Sequence, residues 1–338
     1  MSILKKNQFF TNLCLLVTIL IVTTLPNIFM TKTKSFASDK TGQLQIKMNN
    51  GYLRDSRPKI NTRDMGWGQN YDYFFIHHWP DPVNVRNGNL FLYYQDLFIP
   101  SIGIPLRIER VYNSRSVYRT PFGFGWSLNY FSILTPETNE KLKVYESDGN
   151  VTIYNLASST ANYDTYRATG NNADIIRDKS TFNYIRFSRN CGKEYFNSAG
   201  RLAKLADRNG NSTSLHYDKV GNLTTVLDPA NRAITFQYDT NGLITSIEDP
   251  LGRKLKYAYD ERQNLIAAVD MGGHTTRYFY DAFHNLTLIT YPDGSHTSFE
   301  YDIDKDLILA QEGPGTKKTT YRYYINPESL ITIVTDSL

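Results

Sequence analysis

From Tyr238 to Tyr259 the chain reads YDTNGLITSIEDPLGRKLKYAY, and the same grammar recurs on either side of it. Tyr-Asp pairs stand at Tyr217-Asp218, Tyr238-Asp239, Tyr259-Asp260, Tyr280-Asp281 and Tyr301-Asp302, each 21 residues after the last, with Phe196-Asn197 one period earlier. A fixed period of this size marks a repeat architecture, in which one unit buries its apolar side against the next copy. Counted from the ring, the sixth position on is Leu202, Leu223, Ile244, Leu265, Leu286 and Leu307, and the ninth is Leu205, Val226, Ile247, Ala268, Ile289 and Ala310. The repeat is therefore a packing unit.

A period of 21 is also three heptads, but breakers interrupt the periods, as in Asp228-Pro229, Asp249-Pro250-Leu251-Gly252 and Pro292-Asp293-Gly294. Proline inside a helix costs about 3 kcal/mol, which excludes a coiled coil. Asp249, Pro250 and Gly252 fit the first, second and fourth positions of a type I turn, closed by a left-handed glycine. Asp207-Arg208-Asn209-Gly210 is a variant of it. A second turn of similar grammar follows each Tyr, with Gly221 and Gly242 in Asp218-Lys219-Val220-Gly221 and Asp239-Thr240-Asn241-Gly242. In later repeats Gln263-Asn264, His284-Asn285 and Lys305-Asp306 replace the glycine, and there Asn and Asp are expected to take the positive φ. Two turns per period leave two strands. In the second strand Ile234, Phe236 and Tyr238 alternate with Ala233, Thr235 and Gln237, and Leu255, Tyr257 and Tyr259 alternate with Lys254, Lys256 and Ala258. The first strand has its apolar residues three apart and is expected to carry a bulge.

These residues resemble the RHS or YD-repeat family, in phase and in residue type, from Phe196 to Glu312. The resemblance implies an all-β fold of repeated antiparallel β-hairpins, wound into a coiled, shell-like sheet, commonly around a C-terminal toxin polypeptide. Residues 83–130 are similar to the N-terminal region that often precedes such repeats, through Val83-Asn84-Val85, Gly88-Asn89-Leu90, Asp96-Leu97, Ile104-Pro105-Leu106, Arg110-Val111-Tyr112-Asn113-Ser114-Arg115 and Phe122-Gly123-Phe124-Gly125-Trp126-Ser127. The glycines of the last run suit close backbone approach beneath rings, and the Trp126 cluster reads as a buried cap in preference to a sugar platform.

The first 37 residues read as a signal peptide: Lys5 and Lys6 precede an apolar run from Phe9 to Met30, and Ser35-Phe36-Ala37 offers a cleavage site. A single membrane anchor is the other reading, disfavoured by Asn12, Thr18, Thr23, Thr24 and Pro26 inside the run. The expected localisation is secreted or cell-wall-associated, in a Gram-positive bacterium. Removing Lys5, Lys6, Lys32 and Lys34 takes the formal charge from +4 to 0, which argues against nucleic acid as a partner. It also removes Cys14 and leaves Cys191 alone, so stability is expected from the sheet and not from a disulfide. The organisation expected is signal peptide 1–37, extended lead-in 38–80, N-terminal β region 83–135, irregular hairpins 136–195, YD repeats 196–315, and an incomplete terminal repeat 316–338. Within the hairpins, Ser147-Asp148-Gly149-Asn150 is a turn between two strands, and residues 158–173 read as a polar loop.

No nucleophile-base order, phosphate loop or zinc spacing emerges, so no catalytic, cofactor or metal residue is nominated. His77-His78 lacks a third ligand at suitable spacing. One Asp per turn is explained by turn capping better than by a calcium ladder. The expected function is a non-enzymatic scaffold, part of a shell that carries or exports a toxic polypeptide between bacteria. The alternative is a wall-associated protein binding glycan or protein. Partners would be a toxin domain or remaining shell encoded downstream, with cell-wall glycan under the alternative; a membrane enters only through an uncleaved signal segment. The resemblance stops short of the family's end-of-shell segment, so an open sheet is expected, with Tyr321, Tyr323 and Tyr324 on an unpaired final strand and a phase slip at Gly313-Pro314-Gly315.

Overall fold

Each Tyr-Asp pair ends one strand and opens a turn, and the chain then returns antiparallel beside itself. The computed structural model describes residues 43–49, 82–84, 88–116, 119–168, 173–188, 192–302, 307–313, 318–325 and 329–336. Residues 1–37, His77-His78-Trp79, Cys191, Lys305-Asp306 and Ser337-Leu338 lie outside the described residues. Strands pair in chain order from Ile133–Thr138 through the repeats to Ser329–Asp336, and Gln43–Asn49 adds beyond the last of these. The result is an all-β strip of 21 strands, coiled and not closed into a barrel.

The turns obey one rule. Asp249 N donates to Arg253 O, Gly252 N to Asp249 O, and Asp249 Oδ1 accepts the amides of Leu251 and Arg253 at 2.9 Å each. After each Tyr the pattern is the same: Asp218 Oδ1 accepts from Val220 and Asn222, Asp239 from Asn241 and Leu243, and Asp281 from Phe283 and Asn285, while Asp260 Oδ1 accepts from Asn264. The fourth residue of the turn is left-handed, as at Gly242 with φ 76°. Where glycine is missing, Gln263 (φ 65°) and His284 (φ 69°) hold that conformation, and not the Asn expected there. The reason is that Asn264 and Asn285 stand one place later, where their amides donate to Asp260 Oδ2 and Asp281 Oδ2.

The bulge explains the three-residue spacing. Tyr238 faces Ile244 and Gln237 faces Ser246, so Thr245 is the extra residue, and Ile244 and Ile247 both turn inward to full burial. The same shift recurs at Thr224 and Thr287, whose hydroxyls donate to the carbonyls of His216 and Phe279 at 3.1 Å. On the second strand Ile234, Phe236, Leu255 and Tyr257 are buried, while Thr235, Gln237, Lys254 and Lys256 face solvent.

The recurring Tyr ties one period to the last. Tyr217, Tyr238, Tyr259 and Tyr280 donate to the carbonyls of Leu202, Leu223, Ile244 and Leu265, at 2.7, 2.7, 2.9 and 2.7 Å. Each ring thus lies against the Leu or Ile of its own period and bonds the backbone of the one before. Burial pushes these hydroxyls above the usual phenol range, so they remain neutral donors. Tyr238→Phe is therefore expected to cost about 1 kcal/mol for the orphaned carbonyl of Leu223, and Tyr238→Ala about 3 to 5 kcal/mol. Urea unfolding of both variants checks this, and equal small losses would remove the ring from the core.

Three expectations need correction. Of the expected loop 158–173, residues 158–168 are not one: Val151–Ser159 and Tyr163–Ala168 pair as a hairpin, with Tyr166 fully buried and Asp164 bonded to Lys179 and Ser159, while residues 169–172 lie outside the described residues. Within the extended lead-in, Gln43–Asn49 is a strand, which bears on the chain's last hairpin. Strand Thr319–Ile325 has a successor, Ser329–Asp336, which is covered in turn by Gln43–Asn49, so Tyr321, Tyr323 and Tyr324 do not lie on the final strand. The phase slips one hairpin early: Tyr301 faces Ile308 where Tyr280 faces Leu286, because Asp302 has joined the ladder opposite Leu307.

Candidate functional site

The concave, buried side of the repeat strip is occupied by the described residues 82–84, 88–116 and 119–130. Val83–Asn84, Asn89–Ile99, Leu106–Asn113 and Trp126–Leu128 form a separate four-stranded sheet, with Arg119–Thr120 and Gly123–Phe124 as a short hairpin beside it. Leu90, Ile108, Phe122, Trp126 and Leu128 share one apolar core with Val226, Ile247, Leu265 and Ile289 of the strip. This block is a cap seated in the repeats.

Its contacts use backbone that the repeats leave open. The amides of Ile244 and Leu286, six places after their Tyr, donate to Pro121 O at 2.8 Å and Tyr112 Oη at 2.9 Å, and Ile308 N donates to Gly88 O at 3.0 Å. The tip of the cap lies so close that a Cβ on Gly123 would stand 2.3 Å from Gln263 O, and one on Gly125 would stand 2.6 Å from the Tyr112 ring. Phe124 stacks on His284 with centroids 4.0 Å apart. At the rim, Arg119 donates to Asn241 O, Ser101 to Asp228 Oδ2 and Arg232 to Pro100 O, at 2.6, 2.7 and 2.5 Å.

At the centre lies a buried cation. Arg110, only 2% exposed, donates its Nε and Nη2 to the two carboxylate oxygens of Asp96. The guanidinium also lies 5.2, 5.1 and 5.4 Å from the ring centroids of Tyr94, Trp126 and Tyr257. Burial works most strongly against its charge, but Asp96 and the neighbouring tyrosines together outweigh it and hold the guanidinium protonated. Tyr257 Oη donates to Asp96 Oδ2 at 2.9 Å, and Trp126 Nε1 to Tyr280 Oη at 2.8 Å. Three cap residues, Asp96, Arg110 and Trp126, and two repeat rings, Tyr257 and Tyr280, thereby form one network inside an aromatic shell. Trp126 is 1% exposed, so the cap reading of this cluster holds over the sugar platform.

A second buried polar cluster joins the hairpins. Arg186 donates Nη1 to both oxygens of Glu146, at 2.7 and 2.9 Å, and Nε to Glu194 Oε2 at 2.6 Å. Beside it Asp148 is 3% exposed, and burial first, then the charge of Glu146, pushes its carboxyl up to about 7. The Asp148 carbonyl accepts Asn113 Nδ2 at 2.9 Å, which links this cluster to the cap.

The repeat-signature residues are not gathered at one point. Tyr217, Tyr238, Tyr259 and Tyr280 form a column against the core, while Asp218, Asp239, Asp249, Asp260 and Asp281, with Pro250 and the glycines Gly221, Gly242 and Gly252, build successive turns. Tyr301 and Asp302 belong to the shifted hairpin. Among the described residues, no group of three or more His, Cys, Asp or Glu side chains is arranged to hold a metal ion. In the sequence Asp96 and Arg110 carried only the family resemblance and Asp148 only a turn, with no sign of the buried polar clusters they form. Arg110 lies in an alternating strand whose period points it inward with Ile108 and Tyr112, and that was the available signal.

Residues 196–233, 238–274 and 259–297 match the family described as RHS Repeat, and residues 80–154 match a domain of unknown function, DUF6531. Comparison with curated proteins finds no match. Among solved structures, TcdB2-TccC3 with Cdc42 and TcdB2-TccC3 alone are each similar at 14% identity and a TM-score of 0.30, over 70% and 72% of this chain and 14% of theirs. The Tc holotoxin pore of Photorhabdus luminescens is similar at 13% identity and a TM-score of 0.30, over 71% of this chain and 15% of that one. The chain thus spans 14 to 15% of the length of these three solved chains.

Proposed function

Because the chain is an RHS-repeat protein, we propose that it serves as a non-enzymatic scaffold, the capped end of a shell that carries a toxic polypeptide between competing bacteria. One observation carries the reading: the concave side of the repeats is covered by the chain's own cap, through a shared core and the Arg110 network. A wall that is plugged from within suits containment. Export through the segment at residues 1–37 belongs to the same proposal, with the mature chain starting near Ser38.

The reading is tested by coexpressing the chain with the polypeptide encoded next to it and digesting the purified complex with trypsin. The neighbour is expected to copurify and to be cut at least about tenfold more slowly than when free, as the equilibrium population of its accessible form falls. A neighbour that does not copurify, or is cut at the free rate, overturns the proposal.

A further inference from the structure

The outward side of the strip is polar at Thr235, Gln237, Lys254 and Lys256 and carries Phe279 at a later repeat's Gln237 position, whereas the hairpins that precede the repeats carry an apolar row there. On Asp174–Asp178, Tyr184–Ser188 and Gly192–Phe196 the inward residues are Ile175, Tyr184, Arg186 and Phe196, all buried. Alternation therefore turns Ile176, Ile185, Phe187 and Tyr195 outward. The register sets Ile176 opposite Ile185 and Ile185 opposite Tyr195, so the three form one row across three strands, with Phe187 beside it and 36% exposed.

Two lysines border this row. Lys193 stands opposite Phe187 with its ammonium 5.6 Å from the ring centroid, and Lys204 stands opposite Tyr195 at 4.0 Å. Glu194 lies between Lys193 and Tyr195 in sequence but turns inward to Arg186. Neither lysine forms an ion pair with a carboxylate among the described residues. A sheet face with a half-buried apolar row, Ile176, Ile185 and Tyr195, beside the exposed Phe187 offers a contact surface, and ammonium groups held on rings without counter-charge favour an anionic partner.

We infer that this outward face docks an acidic polypeptide segment whose carboxylates meet Lys193 and Lys204 and whose apolar side chains cover Ile176, Ile185 and Tyr195. A phosphate polymer supplies the charge but would leave the apolar row in contact with ionised groups, which is costly. The face belongs to the outside of the strip, so the inference does not depend on what the concave side encloses.

Fluorescence anisotropy of the full chain tests it with three labelled probes of similar length: a random copolymer of glutamate and tyrosine, polyglutamate, and inorganic polyphosphate. The copolymer is expected to bind at least about tenfold more tightly than either other probe. K193E/K204E should weaken it about tenfold or more with unchanged thermal unfolding, and Ile185→Thr should weaken it while leaving weak polyglutamate binding unaltered. Copolymer affinity no better than that of polyglutamate, tighter binding of polyphosphate, or undiminished affinity in K193E/K204E overturns the inference. So does light scattering that shows the face taken up by a second copy of the chain.

Discussion

Arg110→Met is expected to destabilise the folded chain by about 3 to 5 kcal/mol, the largest effect of any single charge removal, because it strands Asp96 in the aromatic core. Asp96 would keep the Tyr257 hydroxyl at 2.9 Å but lose both guanidinium bonds, and Tyr94, Trp126 and Tyr257 would lose the cation on which their faces converge. The pair's net contribution is smaller than the cost of breaking it, since desolvation offsets most of the attraction. The double replacement Arg110→Met with Asp96→Leu should therefore recover most of the loss. Urea midpoints of the two single variants and the double variant give the coupling directly. In Arg110→Met, trypsin should also attack residues 82–130 before the repeats, because this network joins the cap to the strip. An unchanged midpoint for Arg110→Met, or a double variant no better than the single ones, would remove the network from its central place.

Asp148→Asn should raise stability at pH 8 by up to about 4 kcal/mol, from roughly three pKa units at about 1.4 kcal/mol each. The folded carboxyl titrates at about 7, above its value of near 4 in the unfolded chain, because burial and the neighbouring Glu146 disfavour its charge. Between those values the folded state holds a proton that the unfolded state has released. Stability then falls as pH rises from about 4 to about 7 and is level above that, so this group favours the fold on the acid side. Asparagine keeps an oxygen for the Asn150 amide, now accepted by Asp148 Oδ1 at 3.1 Å, and cannot ionise. Wild type and variant are expected to coincide near pH 4 and diverge steadily up to about pH 7. Parallel stability curves across that range would show that Asp148 is charged without penalty in the folded chain.

The repeat was legible because its rules are short-range. Asp249 bonds amides two and four residues later, and the alternation of Ile234, Phe236 and Tyr238 declares which side of the strand is buried. Even the bulge was written in the spacing of Leu223 and Val226. Where propensity alone was used it failed: Gln263 and His284 take the left-handed position because the turn register, fixed by the preceding Asp, sends Asn264 and Asn285 to bond the carboxylate. Composition failed too at residues 163–168, where polar residues surround a fully buried Tyr166.

The sequence by itself determined the hairpin, its period, its inward face and the Asp-capped turns, since each depends on residues within one period of one another. Only the tertiary structure decided what fills the concave side. Trp126 meets Tyr280 across 154 residues and Tyr112 meets Leu286 across 174, and no local pattern carries such a pairing. The same holds for Gln43–Asn49 covering Ser329–Asp336. A strand edge offers the same row of amides and carbonyls to any partner, so its occupant is chosen by where the coil brings the chain and not by the residues of the edge.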